Sequence, residues 1–248
     1  VRSGYYSAAF LLQRIIADKL DVDPTEIEIA DISRKALNDD TDRFVAEIIL
    51  TDELPNGSGF VRHLYKNFEA ILSDTILPPA EKVYLKKIHS DSHSGSCYDS
   101  CYECLKVYRN MNYHSLLDWR LALSMMRMMN DETFVCGADK NFDFVELRGW
   151  LDNAIGLRDS FVQSFGYTHK EEVNGLPIIK WGQDKKNIIA IVHPFWNVAN
   201  LNYDENWLAK TITALRKYKD ASGGSLSIID TFNLHRRPGW CYEKLVIR

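Results

Sequence analysis

The sequence predicts a mixed α and β fold, in which a helical zinc-binding lobe is followed by a smaller mixed α/β lobe. Apolar residues recur at helical spacing through much of the first half, whereas short apolar runs of strand length alternate with helical patterns in the second. Three cysteines fall within eight residues, which is typical of a metal site. Polar residues at 130–132 and Cys136-Gly137 suggest a boundary, giving domains of residues 1–135 and 136–248.

The composition is that of a globular protein of ordinary charge. Apolar residues make up 46% and charged residues 26% of the 248 positions, and the net charge is −4. A nucleic-acid partner would therefore have to bind a local positive face. No apolar run is long enough for a membrane span and no signal peptide is recognisable, so we expect a cytoplasmic protein without membrane contact. The chain begins with Val1, and we expect it to be part of a longer protein.

The first lobe is predicted as a helix, two strands and three further helices. Residues 7–20 carry an apolar stripe and end at Asp21-Val22-Asp23-Pro24, and strands are expected at residues 27–32 and 44–50 around a turn at 38–40. A single helix over residues 61–72 ends before Pro78-Pro79, and a short helix follows from Ala80. Residues 89–104 show no periodicity and are expected to form the metal loop. Ser115, with Asp118 three residues later, predicts the start of the last helix.

The second lobe is predicted in the order helix, three strands, helix, strand. The helix is expected over residues 145–165, and the strands at 169–173, 177–181 and 188–192. A second helix near 206–218 and a last strand at 226–229 complete the pattern.

The strongest local signal is the spacing of Cys97, Cys101 and Cys104. Zinc prefers four soft or borderline ligands in a tetrahedron, and a tight turn can present closely spaced thiolates to it. A fourth ligand is needed. His114 is our first choice, because the chain can fold back from Cys104 over ten residues. His93 and His89 are also within reach, and Cys136 and Cys241 are remote but chemically suitable.

The stretch from Cys97 to Leu123 resembles the MrfA-type zinc-binding domain found at the C-terminal end of many bacterial superfamily-two helicases. The same segment is similar to the core of the DrmB subunit of the DISARM antiphage system and to the tail of the Druantia helicase. Upstream, the acidic and glycine-rich turn at residues 52–61 is similar to a turn of that family, and the resemblance covers roughly residues 7–130. It implies a structural zinc and an association with a helicase motor in DNA repair or phage defence. Family members use four cysteines, whereas three cluster here.

The glycine-rich turn can also be interpreted from its residues alone. Glycines before a helix can present free amides to a phosphate, or can simply form an ordinary strand-to-helix turn. The P-loop pattern is absent, because no Lys-Ser or Lys-Thr follows the glycines. An ATP site is therefore not expected here.

Polar and basic residues follow two predicted strands of the second lobe. His193 follows one, and Asp230, Asn233 and His235 follow another, where side chains of an α/β sheet often converge. A solvated pair of loops would give the same pattern. As nucleic-acid contacts we expect Arg236 and Arg237, because guanidinium groups match phosphate geometry. The other two candidates, near the zinc loop, are Arg109 and Arg120.

We therefore expect a non-catalytic module that carries a structural zinc and contacts DNA, a helicase motor, or both. One alternative is a metal-dependent nuclease lobe, since the predicted order of the second lobe is that of restriction-type nucleases. Such enzymes need an acidic residue two positions before a lysine, and Ile178 stands there before Lys180. The other alternative is a scaffold that only docks a protein partner.

Overall fold

The structure is a computed structural model that describes residues 2–36, 44–199 and 206–246. The chain divides into two compact units, Val1–Phe134 and Val135–Arg248. The first is mainly helical and the second contains a four-stranded sheet. The predicted mixed fold, with the helical part first, is confirmed. No helix among the described residues is long and apolar enough to cross a membrane.

The first unit is built on two antiparallel strands and six α-helices within its described residues. The strands are β1 (Ile27–Ala36) and β2 (Phe44–Asp52), and the turn predicted at residues 38–40 lies outside the described residues. The helices are α1 (Arg2–Leu20), α2 (Phe60–Lys66), α3 (Phe68–Ile76), α4 (Val83–Ile88), α5 (Asp91–Ser96) and α6 (Trp119–Asn130). Helix α1 packs against α6, and their apolar stripes form the core of this unit.

Three local features of the first unit differ from the prediction. The single helix expected over residues 61–72 is broken at Asn67, whose backbone leaves helical geometry and separates α2 from α3. The expected metal loop contains helix α5, because the Ser90 hydroxyl caps it by accepting the His93 N–H. Helix α6 is capped by Asp118 instead of Ser115, because the carboxylate accepts the N–H groups of Arg120 and Leu121.

The glycine-rich turn between β2 and α2 is closed by its own carboxylate. Asp52 accepts the N–H of Gly59 at 2.7 Å through Oδ2 and that of Val61 at 2.9 Å through Oδ1. Gly59 has a φ of 82°, a left-handed conformation that favours glycine. These amides are therefore already satisfied by Asp52, and the turn has the geometry of an ordinary strand-to-helix connection.

Along its described residues, the second unit has helix α7 before a four-stranded sheet, helix α8 between the last two strands, and helices α9 and α10 after them. The sheet contains β3 (His169–Val173), β4 (Leu176–Trp181), β5 (Asn187–Val192) and β6 (Leu226–Asp230), in that spatial order. Strand β4 is antiparallel to both β3 and β5, whereas β6 is parallel to β5. The helices are α7 (Trp150–Phe165), α8 (Trp207–Ser222), α9 (Thr231–Arg236) and α10 (Pro238–Val246).

The chemistry of the strands and caps explains this arrangement. Strand β5 contains an uninterrupted apolar run from Ile188 to Val192, and this run is buried throughout, as expected for the interior of a sheet. Helix α8 lies between β5 and β6 in the chain, and a parallel pair requires such a long crossover. Helix α7 begins later than predicted, after Gly149. Helices α9 and α10 were not predicted: residues 230–238 were expected as a loop or a polar site, and no element was assigned after them.

Candidate metal centre

One histidine and three cysteines of the first unit converge on a single point. The ligand atoms of His93, Cys97, Cys101 and Cys104 all lie within 4.8 Å of one another. Three of these residues are buried, and Cys101 is partly exposed. This is the group with metal-binding geometry found among residues 2–36, 44–199 and 206–246.

The separations of the ligand atoms agree with zinc. Cys104 Sγ lies 3.9 Å from Cys97 Sγ and 3.7 Å from Cys101 Sγ, and His93 Nε2 lies 3.6 Å from Cys101 Sγ. A tetrahedral ion with Zn–S bonds of about 2.3 Å and Zn–N bonds of about 2.0 Å requires about 3.8 Å between sulfurs and about 3.5 Å between sulfur and nitrogen. The residues therefore fit zinc, and all four corners are supplied by the protein, as in a structural site.

Helix α5 and the residue that ends it, Cys97, supply two of the four ligands. His93 and Cys97 are four residues apart, so one turn of helix places them on the same side. The Cys97 N–H closes that turn by donating to the His93 carbonyl at 2.8 Å. His93 Nδ1 lies 3.2 Å from the Ile88 carbonyl oxygen, which accepts its proton and leaves Nε2 available to a metal. The backbone of α4 thereby fixes the orientation of the imidazole.

A tight turn delivers the other two ligands. The N–H groups of Cys104 and Lys106 both donate to the Cys101 carbonyl, at 3.2 and 2.9 Å. The Cys101 N–H donates to Cys104 Sγ at 3.0 Å. The neighbouring Cys97 thiol lowers the pKa of Cys104, helped by contacts to His93 and the Cys101 N–H, while the same pair raises the pKa of Cys97. The two sulfurs therefore favour one negative charge between them in the absence of an ion, and zinc binds cysteine as thiolate.

The start of α6 holds the whole loop in place. Trp119 Nε1 donates to the Cys97 carbonyl at 3.0 Å, and the Trp119 ring lies edge-on to His93 with centroids 4.9 Å apart. Arg120 donates to the carbonyls of Cys97, Tyr98 and Ser94 at 3.1, 2.8 and 2.9 Å. Its guanidinium is therefore committed to main-chain oxygens. The side chain expected to contact phosphate instead supports the zinc loop.

The structure places His93, and not His114, beside the three cysteines. His114 Nε2 lies 2.8 Å from Asn110 Oδ1 and 3.1 Å from the Val107 carbonyl oxygen. This ring nitrogen therefore already has hydrogen-bond partners within the protein. His89 is similarly engaged, with Nε2 2.8 Å from the Thr75 carbonyl. Cys136 and Cys241 belong to the second unit. The sequence signal for His93 was its spacing of four from Cys97, which has meaning only if residues 91–96 are helical.

Substituting the two histidines separately tests this ligand assignment. We expect His93→Ala to reduce bound zinc well below one ion per chain, because only three of the four ligands then remain. The lost imidazole is one whose orientation the Ile88 carbonyl fixes. We expect His114→Ala to retain about one ion, because that substitution leaves all four ligands intact. Elemental analysis of the two purified variants measures this. Retention by His93→Ala together with loss in His114→Ala would reverse the assignment.

The polar residues predicted at the strand ends of the second unit serve the fold. The register pairs Val192 with Asp230, so His193 and Asp230 stand at neighbouring strand ends, as expected. His193 is buried, with Nδ1 3.5 Å from Cys136 Sγ and 3.2 Å from the Phe195 nitrogen, which donates to it. Asp230 caps α9 by accepting the Asn233 N–H at 2.8 Å. These contacts account for both side chains without a ligand.

The remaining basic candidates lie at the surface or near it. Arg109 is exposed and its guanidinium lies 3.7 Å from the Glu53 carboxylate. Arg237 is exposed at the end of α9, and Arg236 is half-buried beside it, with its guanidinium 5.3 Å from the centre of the Phe232 ring.

The residues considered for a nuclease site have structural roles. Lys180 is ion-paired with Glu171 at 2.7 Å, and the Ile178 side chain lies in the core.

Comparison with known proteins agrees with the metal geometry. Residues 8–105 match the family model of the MrfA Zn-binding domain. Neither the curated proteins nor the solved structures give a significant match to the chain. The matched segment contains all four ligand residues, so the predicted structural zinc is confirmed by both the family and the ligand chemistry. Residues 8–105 thus match the MrfA Zn-binding domain family, with His93, Cys97, Cys101 and Cys104 as the group that fits its zinc.

Proposed function

We propose that this chain is a non-catalytic accessory module of a bacterial DNA helicase, stabilised by zinc and acting in the cytoplasm in DNA repair or antiphage defence. The observation that carries the proposal is a closed group of one histidine and three cysteines inside the segment that matches the MrfA Zn-binding domain. The wider resemblance of residues 97–123 to helicase-associated domains supplies the context. The helicase motor, in the same chain or in another subunit, is the expected partner.

The surroundings of the metal group support a structural role. Four protein ligands fill a tetrahedral zinc and leave no position for water or substrate. The nearest acidic residue in the sequence, Glu103, is exposed and its carboxylate accepts a hydrogen bond from Lys87 Nζ at 2.7 Å. This ion pair lowers the pKa of Glu103. A carboxylate held at the surface in this way is poorly suited to act as a general base at the metal.

Direct DNA contact is proposed through Arg236 and Arg237. Because the net charge of the chain is −4, binding must depend on a few local phosphate contacts. Arg237 Nε donates to Asn233 Oδ1 at 2.8 Å, and a guanidinium has five N–H donors, so the exposed group retains donors for a phosphate. Arg120 is left out of this surface, because its guanidinium supports the zinc loop.

The test is a DNA-binding titration of the zinc-loaded chain at two salt concentrations. Replacing Arg236 and Arg237 together with Ala should weaken binding equally for different sequences and reduce the salt slope by about two, because each phosphate contact releases counterions. The matched control replaces Lys210 and Lys217, two exposed lysines of α8, with Ala and removes the same charge. That control should bind DNA like the wild type.

Two other outcomes would replace the proposal. If the chain binds no DNA at low salt but binds a helicase motor, it is a protein-docking scaffold. If it cleaves DNA with magnesium or manganese and Asp230→Ala abolishes the cleavage, it is a nuclease. We expect the isolated chain neither to cleave DNA nor to hydrolyse ATP.

A further inference from the structure

One ligand of the metal group is more accessible to solvent than the other three. Cys101 is partly exposed. Each of the other three ligands has at most 5% of its surface accessible. The next residue along the chain, Tyr102, has 63% of its surface exposed, so this side of the turn lies at the protein surface. A small solute therefore reaches the metal group from the Cys101 side, while the protein covers the other ligands.

Hydrogen bonding distinguishes the Cys101 sulfur in the same sense. Cys104 Sγ accepts the Cys101 N–H at 3.0 Å, and a hydrogen bond that stabilises a thiolate also lowers its nucleophilicity. Within the part of the chain that the structure describes, no backbone N–H donates to Cys101 Sγ. Its contacts are His93 Nε2 at 3.6 Å and Cys104 Sγ at 3.7 Å. Of the two neighbouring sulfurs, that of Cys101 is thus both the more accessible and the more nucleophilic.

A second sulfur lies within reach of Cys101 for disulfide formation. Cys101 and Cys104 have the Cys-x-x-Cys spacing of many redox-active pairs. The Cys104 N–H donates to the Cys101 carbonyl at 3.2 Å, so the two residues are the ends of a tight turn. The ends of such a turn lie less than about 7 Å apart at Cα, and disulfides join Cα atoms that are about 4.4–6.8 Å apart. The turn therefore accepts a disulfide between these two residues.

We propose that Cys101 is a site of oxidation by hydroperoxides and that its oxidation releases the zinc. In the first step, the Cys101 thiolate attacks one oxygen of hydrogen peroxide, the O–O bond breaks, and a sulfenic acid forms as hydroxide leaves. In the second step, the Cys104 thiolate attacks the Cys101 sulfur, an S–S bond forms, and the sulfenic hydroxyl leaves as hydroxide. The two sulfurs together lose two electrons, which the two oxygens of the peroxide gain.

The disulfide removes half of the ligand set. Zinc binds cysteine as thiolate, and neither sulfur of a disulfide is one, so only His93 and Cys97 remain as ligands. Because the binding of a structural zinc contributes to folding, oxidation at Cys101 lowers the stability of the first unit. The inference goes beyond the proposed function, since it rests on the metal centre and is independent of any helicase or DNA contact.

Treatment of the zinc-loaded chain with hydrogen peroxide tests the proposal. A chromogenic zinc chelator measures the released metal, and peptide mass spectrometry after alkylation locates the disulfide. We expect about one zinc per chain to be released together with a Cys101–Cys104 disulfide, and dithiothreitol with added zinc to restore the bound metal. With dimedone present, which traps sulfenic acids, we expect the adduct on Cys101.

Cys101→His is the informative variant, because a histidine keeps a zinc ligand at this corner and removes the oxidisable sulfur. It should release zinc to peroxide about ten-fold more slowly than the wild type, or slower still. Cys241→Ser, which removes a buried cysteine of the second unit, is the control and should release zinc at the wild-type rate.

Three results would overturn the proposal. They are retention of zinc by the wild type in excess peroxide, a dimedone adduct on Cys97 or Cys104 in place of Cys101, and a disulfide that excludes Cys101. If Cys101→His binds no zinc, the adduct and the disulfide of the wild type decide the question by themselves. None of these measurements depends on DNA binding, so the proposed function stands or falls separately.

Discussion

Replacing Cys104 with Ser should release the zinc and unfold much of the first unit. Cys104 is fully buried, and its sulfur lies within 3.9 Å of the Cys97 and Cys101 sulfurs and accepts the Cys101 N–H. The binding free energy of a structural zinc is about 10–16 kcal/mol in small zinc domains and contributes directly to folding. Without the ion, the loop loses the bonds that join helix α5 to the turn at residues 101–106, and the hydrogen bonds from Trp119 and Arg120 are left to hold it. Removing zinc from the wild type with a chelator should have the same effect.

Elemental analysis and circular dichroism on the Cys104→Ser chain measure these two losses. Cys241→Ser is the matched control, because Cys241 is also a buried cysteine but belongs to the second unit and lies outside the ligand group. That variant should retain about one zinc per chain. A Cys104→Ser chain with full zinc content and unchanged helical signal would show that the four residues do not form a structural site.

The second unit should lose stability as the pH is lowered from about 6.5 towards 3. Burial lowers the pKa of His193 to about 3 from its ordinary value of 6.5. The unfolded chain therefore takes up a proton below pH 6.5, while the native His193 remains neutral among Cys136, Trp150 and Trp196. The contribution of neutral His193 to stability is essentially complete well above pH 6.5, and below that pH it falls towards a limiting slope of about 1.4 kcal/mol per pH unit. Between pH 6.5 and 4.5 the loss amounts to about 2 kcal/mol, because the unfolded histidine is already half protonated at pH 6.5.

Urea unfolding followed by tryptophan fluorescence at several pH values measures this loss. Five of the six tryptophans lie in the second unit, so the signal reports mainly on that unit. The Gln side chain of the His193→Gln variant does not titrate. The free energy of unfolding of this variant should therefore depend less steeply on pH than that of the wild type, even if the two differ at neutral pH. His169→Gln, on the less buried strand β3, should keep the pH dependence of the wild type. Equal slopes for the wild type and His193→Gln would disprove the assignment.

Much of the secondary structure of the second unit could be predicted from local sequence signals. The predicted strands at 169–173, 177–181 and 188–192 agree with β3, β4 and β5 to within one residue at each end. Apolar strands bounded by Gly, Asn and charged residues carry their signal within a few positions, which is why they were found. Helices α9 and α10 were missed, because their short segments are held by the Asp230 cap and by burial of Cys241 and Leu245. Neither feature produces a long periodic pattern.

The spacing of Cys97, Cys101 and Cys104 predicted a zinc site without any structure, because separations of a few residues are a local property, and the fold brings these three thiols together. The fourth member of the group depends on tertiary contacts. His114 is near Cys104 in sequence, but Asn110 and the Val107 carbonyl engage its ring. His93 reaches the site because α5 folds and the Ile88 carbonyl turns its imidazole. Reach along the chain allows several histidines to serve, and the choice among them depends on which ring nitrogens the folded backbone leaves free.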